Sequence, residues 1–297
     1  MLRIIADSTC DISKEDARKM GIQIVPISVR FGNEEFLDGV EITHEEFYTR
    51  LAECDELPKT SQPSPDTFMK VFNEAVAAGD DVLGIFISSD LSGTYQSACL
   101  AALDVEEETG KKLYVVDSRS ASIGTALLIR EAVKLRDAGV NAADIAAACT
   151  EMSKYIKLTA VVGSLKYLKM GGRLSGAAAF AGTMLHITPV VSIEDGKVVV
   201  IGKTRGKKAA EKLMHDKLIK DGLSLTRDFM FGHINCSESL ETFINKSLTY
   251  ISDVNGNVCV SSIGCSVGTH VGPGTYGIAY VEAAESGMNR ESIVKTA

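Results

Sequence analysis

The sequence has no apolar run long enough to cross a membrane. Its longest nearly uninterrupted apolar stretch, residues 176–185, is about ten residues, against the ~20 that a spanning helix needs. No charged-then-apolar leader opens the chain, because Asp7 already follows the first apolar residues, and the expectation is a cytoplasmic protein. No CxxC pair occurs among the seven cysteines, at 10, 54, 99, 149, 236, 259 and 265. Several sit in apolar runs, and they read as reduced core thiols. The five histidines (44, 186, 215, 233, 270) include no two that are three or four apart, which excludes a local helical zinc motif. Disorder is excluded too, with 45% hydrophobic residues and a mean hydropathy of +0.09. No internal repeat or low-complexity tract appears. What is there is 297 residues, enough for two domains with sizeable cores.

The net charge of −8 is unevenly spread. Residues 34–56 hold nine acids and one base, Arg50. Residues 154–220 hold thirteen bases and four acids, a net of +9, which leaves −17 for the remainder. Most of these charges read as solvated helix faces; the basic stretch would also suit an anionic ligand or partner. Nucleic acid is not expected, since no aromatic stacking motif accompanies the bases and the isoelectric point is about 5.3.

In the first half strands alternate with helices. Strands are expected at 2–6, 81–87 and 111–116, and helices at 13–20, 43–52, 66–78, 91–108, 123–138 and 142–154. Extended pieces at 23–31 and 34–37 flank a Gly32-Asn33 turn, and 60–65 reads as a rigid loop. The alternation implies parallel βαβ units. The second half is mixed, with a strand at 159–162, a short helix at 164–169 and an Ala/Gly-rich helix after Arg173. A hairpin turns at Glu194-Asp195-Gly196. Helices at 206–220 and 240–251 and strands at 229–233, 258–263 and 278–281 complete it. The domain boundary is placed near residue 155, giving domains 1–155 and 156–297.

Three motifs match catalytic patterns without their context. Gly272-Pro273-Gly274-Thr275-Tyr276-Gly277 reads as GxGxxG, but a strand follows it where the dinucleotide motif needs a helix. Gly196 to Gly202-Lys203-Thr204 resembles a phosphate loop with one residue too many, and its loop is strand-like. Gly264-Cys265-Ser266-Val267-Gly268 matches the nucleophile elbow, yet the following glycines oppose a long helix. A serine hydrolase or esterase using Ser266 and His270 stays as the second reading.

Hydroxyls gather where strands end. Asp7-Ser8-Thr9 follows the first strand, Ser88 to Thr94 follows the strand at 81–87, and Asp117-Ser118 follows 111–116. Thr60-Ser61 lies in its own loop. Open parallel sheets bind ligands at the carboxyl ends of strands, so these clusters can converge. Ser92 and Gly93 fall at an expected helix N-terminus, which favours a carboxylate or phosphate.

Together with Asp7-Ser8-Thr9, Thr60-Ser61-Gln62-Pro63, Leu91-Ser92-Gly93-Thr94-Tyr95-Gln96 and Val116-Asp117-Ser118, two later segments carry a family likeness. These are Leu165 through Leu168-Lys169 to Gly171-Gly172-Arg173-Leu174-Ser175, and Gly268-Thr269-His270-Val271-Gly272-Pro273-Gly274. In this order and spacing, over residues 3–280, the sequence resembles the DegV family. The resemblance implies two α/β domains, an N-terminal Rossmann-like parallel sheet and a C-terminal mixed sheet, with one long-chain fatty acid (palmitate, stearate or oleate) between them. It implies the fatty-acid-binding subunit of bacterial fatty acid kinase, in phospholipid metabolism. Such a subunit has no catalytic residue, metal or cofactor of its own and presents the carboxylate to a separate ATP-dependent kinase subunit. By the family pattern the carboxylate falls on Thr60 or Ser61, on Ser92 with the Gly93 amide, and on His270. Ser118, Thr269, Arg173, Arg205 and Lys208 match head-group or partner positions, and transient contact with a membrane surface fits such a carrier.

The residue reading agrees. Fatty-acid binding wants a large apolar volume with a small polar head site. A buried carboxylate must be hydrogen-bonded, and hydroxyls and amides do this while leaving an oxygen open to phosphoryl attack. The missing nucleotide loop is then expected, because ATP belongs to the partner. The small residues at 176–182 would let an acyl chain pass close to backbone, or else pack helices closely.

Overall fold

The computed structural model describes residues 1–176, 187–224, 227–249 and 256–283. The Ala/Gly-rich helix expected after Arg173, and with it the small-residue stretch 176–182 beyond Gly176, lie outside the described residues, as does the end of the helix expected at 240–251. No helix among the described residues is long and apolar enough to cross a membrane.

The first sheet is parallel. Strands β1 (Leu2–Asp7), β2 (Ile22–Val25), β6 (Asp81–Phe86) and β7 (Leu113–Asp117) lie in the order β2-β1-β6-β7. Ile4, Ile5 and Ala6 are wholly buried, as a central strand covered on both faces requires. Helix α1 (Lys14–Met20) starts where the Ser13 side chain accepts from the Asp16 N–H and stops at Gly21, φ 61°. Helix α2 (His44–Glu53) carries the capping box of Thr43 and Glu46. Helix α3 (Pro65–Ala77) has Ser64 as its cap. It packs Phe68 edge-on against Phe86 of β6 at 5.0 Å between ring centroids. Helices α4 (Thr94–Thr109), α5 (Ile123–Asp137) and α6 (Ala142–Met152) complete this half.

Two expectations are corrected here. The segment 60–65 is not all loop, because β5 (Lys59–Ser61) pairs antiparallel with β3 (Ser28–Phe31). With β4 (Glu34–Leu37) it forms a small sheet in the order β4-β3-β5. Lys59-Thr60-Ser61 has no apolar residue to signal a strand; partner backbone, not side-chain pattern, makes it one. Helix α4 starts at Thr94 and not at 91, since residues 88–93 turn back on themselves, Leu91 and Ser92 N–H both bonding to Ser88 O.

The second sheet is mixed. Its strands β8 (Ile156–Val161), β9 (Thr188–Glu194), β10 (Lys197–Thr204), β11 (Phe229–His233), β12 (Val258–Ser262) and β13 (Tyr276–Val281) lie in the order β10-β9-β8-β13-β11-β12. Only β11 and β12 run parallel. The β9–β10 hairpin turns at Asp195 (φ 48°) and Gly196 (φ 80°), the left-handed pair that a two-residue hairpin favours. Helices α7 (Leu165–Met170), α8 (Lys207–Asp221), α9 (Ser237–Leu248) and α10 (Cys265–Val271) belong to this half. The GxSxG serine thus opens a helix, but one of seven residues. The GxGxxG stretch leads into β13, as expected.

Helix α5 lies between the sheets, touching β1 and β6 of one and β8, β11 and β13 of the other. Its first half is buried nearly all round, with Leu127, Leu128 and Ile129 consecutive and buried. All seven cysteines are free thiols.

Candidate functional site

The site is assembled from both halves. β5 alternates its side chains, so Thr60 turns inward while Ser61 faces solvent. Helix α10 carries His270 towards it, and Thr60 Oγ1 and His270 Nε2 meet at 2.9 Å. His270 is half-buried, and the loss of solvent around the ring, aided by the Arg173 charge nearby, pushes its pKa down to about 4. The ring is therefore neutral at pH 7 and offers one N–H and one acceptor. Its Nδ1 is buried with no hydrogen-bond partner among the described residues.

This pair stands at the head of a cavity also lined by Ser92, Arg173, Leu91, Leu168 and Val198. Beyond it lies a second space lined by Leu158, Ala160, Val162, Val191, Ile193 and other residues, mostly apolar. The two share Ala121, Val198, Val267 and Val271 as walls, so they adjoin, the first with a polar end and the second lined almost wholly by apolar side chains. On the outside, a surface cleft shares Thr60, Arg173 and His270 with the head cavity. Those three side chains are the partition between interior and surface.

Two carboxylates of the first half hold α10 in place. Asp38 accepts from the Cys265 N–H at 3.2 Å and the Ser266 N–H at 3.0 Å. Asp11 accepts from the Gly264 N–H at 2.8 Å. They satisfy the free N–H groups of the helix start from across the molecule. Burial pushes the Asp11 carboxyl well above the usual range, against the lowering effect of its bonds to Ser122 and Gly264. The Tyr48 hydroxyl donates to Ile263 O and Gly264 O at 3.0 and 3.2 Å.

The other expected residues divide. Ser92 lines the cavity, its Oγ 2.9 Å from Thr94 Oγ1. Gly93 is the residue before α4, and a Cβ there would lie 2.1 Å from Gln62 Oε1. Gln62 donates to Ser97 Oγ at 2.9 Å and so clips the Thr60 strand onto α4. The Arg173 guanidinium donates to Leu91 O (3.1 Å) and Gly171 O (2.8 Å), which bridges the two halves beside His270. Thr269 lines the outer cleft, but its hydroxyl donates to Cys265 O at 2.9 Å within its own helix. Ser118 is fully buried, bonded to Ser120 O (3.1 Å) and Thr125 Oγ1 (3.0 Å); it shapes a turn and does not line the cavity. Arg205 and Lys208 are exposed at the start of α8 and line neither cavity nor cleft.

Sequence reasoning missed Asp11, Asp38 and Gly171. A Cβ on Gly171 would lie 2.3 Å from His270 Nδ1, so this glycine makes room for the ring. The two aspartates gave no signal, because their partners lie more than two hundred residues away in sequence.

Two sheets flanked by helices, with a polar-headed cavity and an adjoining apolar one between them, define a two-part α/β protein with an interior site. The chain belongs to the DegV family, whose profile, described as "Uncharacterised protein, DegV family", matches residues 1–283. A DegV domain-containing protein of Clostridium acetobutylicum is 36% identical over 289 residues, covering 94% of this chain and 97% of that protein. Among solved structures, a fatty-acid-binding DegV family protein from Thermus thermophilus superimposes with a TM-score of 0.85 at 32% identity, covering 94% of this chain and 99% of the other. A stearic acid-binding protein from Eubacterium ventriosum gives 0.82 at 30% identity, covering 96% and 100%.

Proposed function

We propose that this chain is a non-enzymatic carrier that holds one long-chain fatty acid, tail in the apolar interior and carboxylate at Thr60, Ser92, the Gly93 amide and His270. The observation that carries this reading is the pair of adjoining interior spaces, with the Thr60–His270 pair at the head of one and mostly apolar walls around the other. An uncharged imidazole with hydroxyls can hold a carboxylate without locking both its oxygens, as a bidentate arginine would. The fatty-acid-binding relatives support the same ligand class. Because Thr60, Arg173 and His270 also border the outer cleft, a second protein can reach the carboxylate while the tail stays buried. That suits presentation to a separate ATP-dependent fatty acid kinase subunit, with Arg205 and Lys208 as docking residues in the cytoplasm.

A serine hydrolase is not favoured. Among the described residues Ser266 Oγ has no hydrogen-bond partner, and His270 Nε2 is engaged by Thr60, so nucleophile and base are not paired. The test is denaturation of the purified chain in organic solvent, followed by mass spectrometry. About one fatty acid per chain is expected; a chain that releases none and takes up none after delipidation overturns the reading.

A further inference from the structure

The hydroxyl of Ser266 has no role in the site as described. Ser266 is the second residue of α10, is 2% exposed, and lines the same cavity as Thr60, Ser92 and His270. Its backbone N–H is taken up by Asp38, but its Oγ is buried with no hydrogen-bond partner among the described residues. Buried hydroxyls are nearly always bonded, and one that is not asks for an explanation. Two other polar atoms of the cavity lining are already used. Thr9 Oγ1 donates to Asp7, and His270 Nε2 is joined to Thr60. Ser266 therefore keeps both a donor and an acceptor unspent, among Ile27, Ala121 and Val267.

Its position sets what could use them. Ser266 and His270 are four residues apart on one helix, so they share a face with Cβ atoms about 5–6 Å apart. A carboxylate oxygen bonded at His270 and a second oxygen bonded at Ser266, each at about 2.8 Å, end up a few ångströms from one another. Two or three carbons span that gap.

Resting on the fatty-acid reading above, we propose that Ser266 is a second polar anchor that selects acyl chains carrying a hydroxyl close to the carboxylate, the 3-hydroxy fatty acids. An unsubstituted chain leaves the serine hydroxyl unbonded. A hydroxyl far along the chain meets the aliphatic walls of Leu158, Ala160, Val162, Val191 and Ile193 and loses its water without compensation.

The test uses the delipidated full-length chain and three probes: palmitate, 3-hydroxypalmitate and 12-hydroxystearate. The native chain is expected to bind 3-hydroxypalmitate roughly five- to tenfold tighter than palmitate, the scale of one net hydrogen bond, and 12-hydroxystearate more weakly than either. Ser266→Ala should bind palmitate and 3-hydroxypalmitate equally, and its melting temperature should not fall, since the removed hydroxyl had no bond. Equal affinities in the native chain, or a preference that survives Ser266→Ala, overturn the proposal while leaving the carrier intact. Failure of palmitate and 3-hydroxypalmitate alike to bind removes the carrier and this selectivity together.

Discussion

Thr60 and His270, 210 positions apart in the chain, are brought to 2.9 Å by a three-residue strand and a seven-residue helix. Thr60→Val keeps the shape of the side chain and removes the hydroxyl, and Ser92→Ala does the same for the facing loop. Each should weaken fatty-acid binding by about 1–3 kcal/mol, the cost of a lost bond to a charged group. Titration of delipidated protein with palmitate reads this; unchanged affinity in both would move the carboxylate elsewhere.

The half-buried imidazole gives a pH signature. Its pKa falls from an unfolded value near 6.5 to about 4 in the fold. Below about 6.5 the unfolded chain takes up a proton that the native ring refuses. Stability from this group is therefore complete above that pH and is lost as pH falls towards 4. His270→Asn should flatten the part of the melting-temperature profile between pH 6.5 and 4.5 relative to the native chain. Parallel profiles would mean that the ring is not held neutral.

Gly171 has an ordinary backbone (φ −73°), so Gly171→Ala adds no backbone strain. Its methyl would still collide with His270 Nδ1 at 2.3 Å. The expected result is a large loss of fatty-acid affinity with a smaller fall in melting temperature. Retained binding would show that the ring has room to move.

Asp38→Asn leaves one of the two N–H groups at the start of α10 without its acceptor. Urea denaturation should show a loss of about 1–3 kcal/mol, accompanied by weaker binding because the helix carries His270. Full stability in the variant would reduce the aspartate to a surface-like role.

Charge reversal at Arg205 or Lys208 should lower acyl-phosphate formation with a fatty acid kinase subunit and leave lipid content unchanged. Loss of the bound lipid instead would contradict the division between docking and holding.

Much of this arrangement is legible in the sequence because it is local. Caps such as Ser13 and the Thr43–Glu46 box fix helix starts within four residues, and Asp195-Gly196 fixes a hairpin by its own backbone preference. β5 was not legible: Lys59, Thr60 and Ser61 carry no alternation and become a strand only by pairing with β3. The same holds for Asp38, which reads only as one acid of the acidic stretch 34–56. Its work on Cys265 and Ser266 depends on long-range packing that no spacing rule encodes. Ser118 shows the reverse failure, a hydroxyl at a strand end spent inside its own turn.

The β9–β10 hairpin tip touches the first half at three points, one of them the Lys197–Asp90 ion pair at 3.4 Å. Ser88 Oγ donates to Gly196 O at 2.8 Å, and Arg119 pairs with Asp195 at 2.9 Å. The interior beneath is walled by residues of both halves, Ile87 and Ala121 from one and Leu168, Val198 and Val271 from the other. Neither half owns a complete pocket. Occupancy and docking of the halves are then thermodynamically linked: whatever fills the interior tightens the contact at the hairpin tip, and whatever loosens that tip lowers the affinity for the occupant by the same free energy.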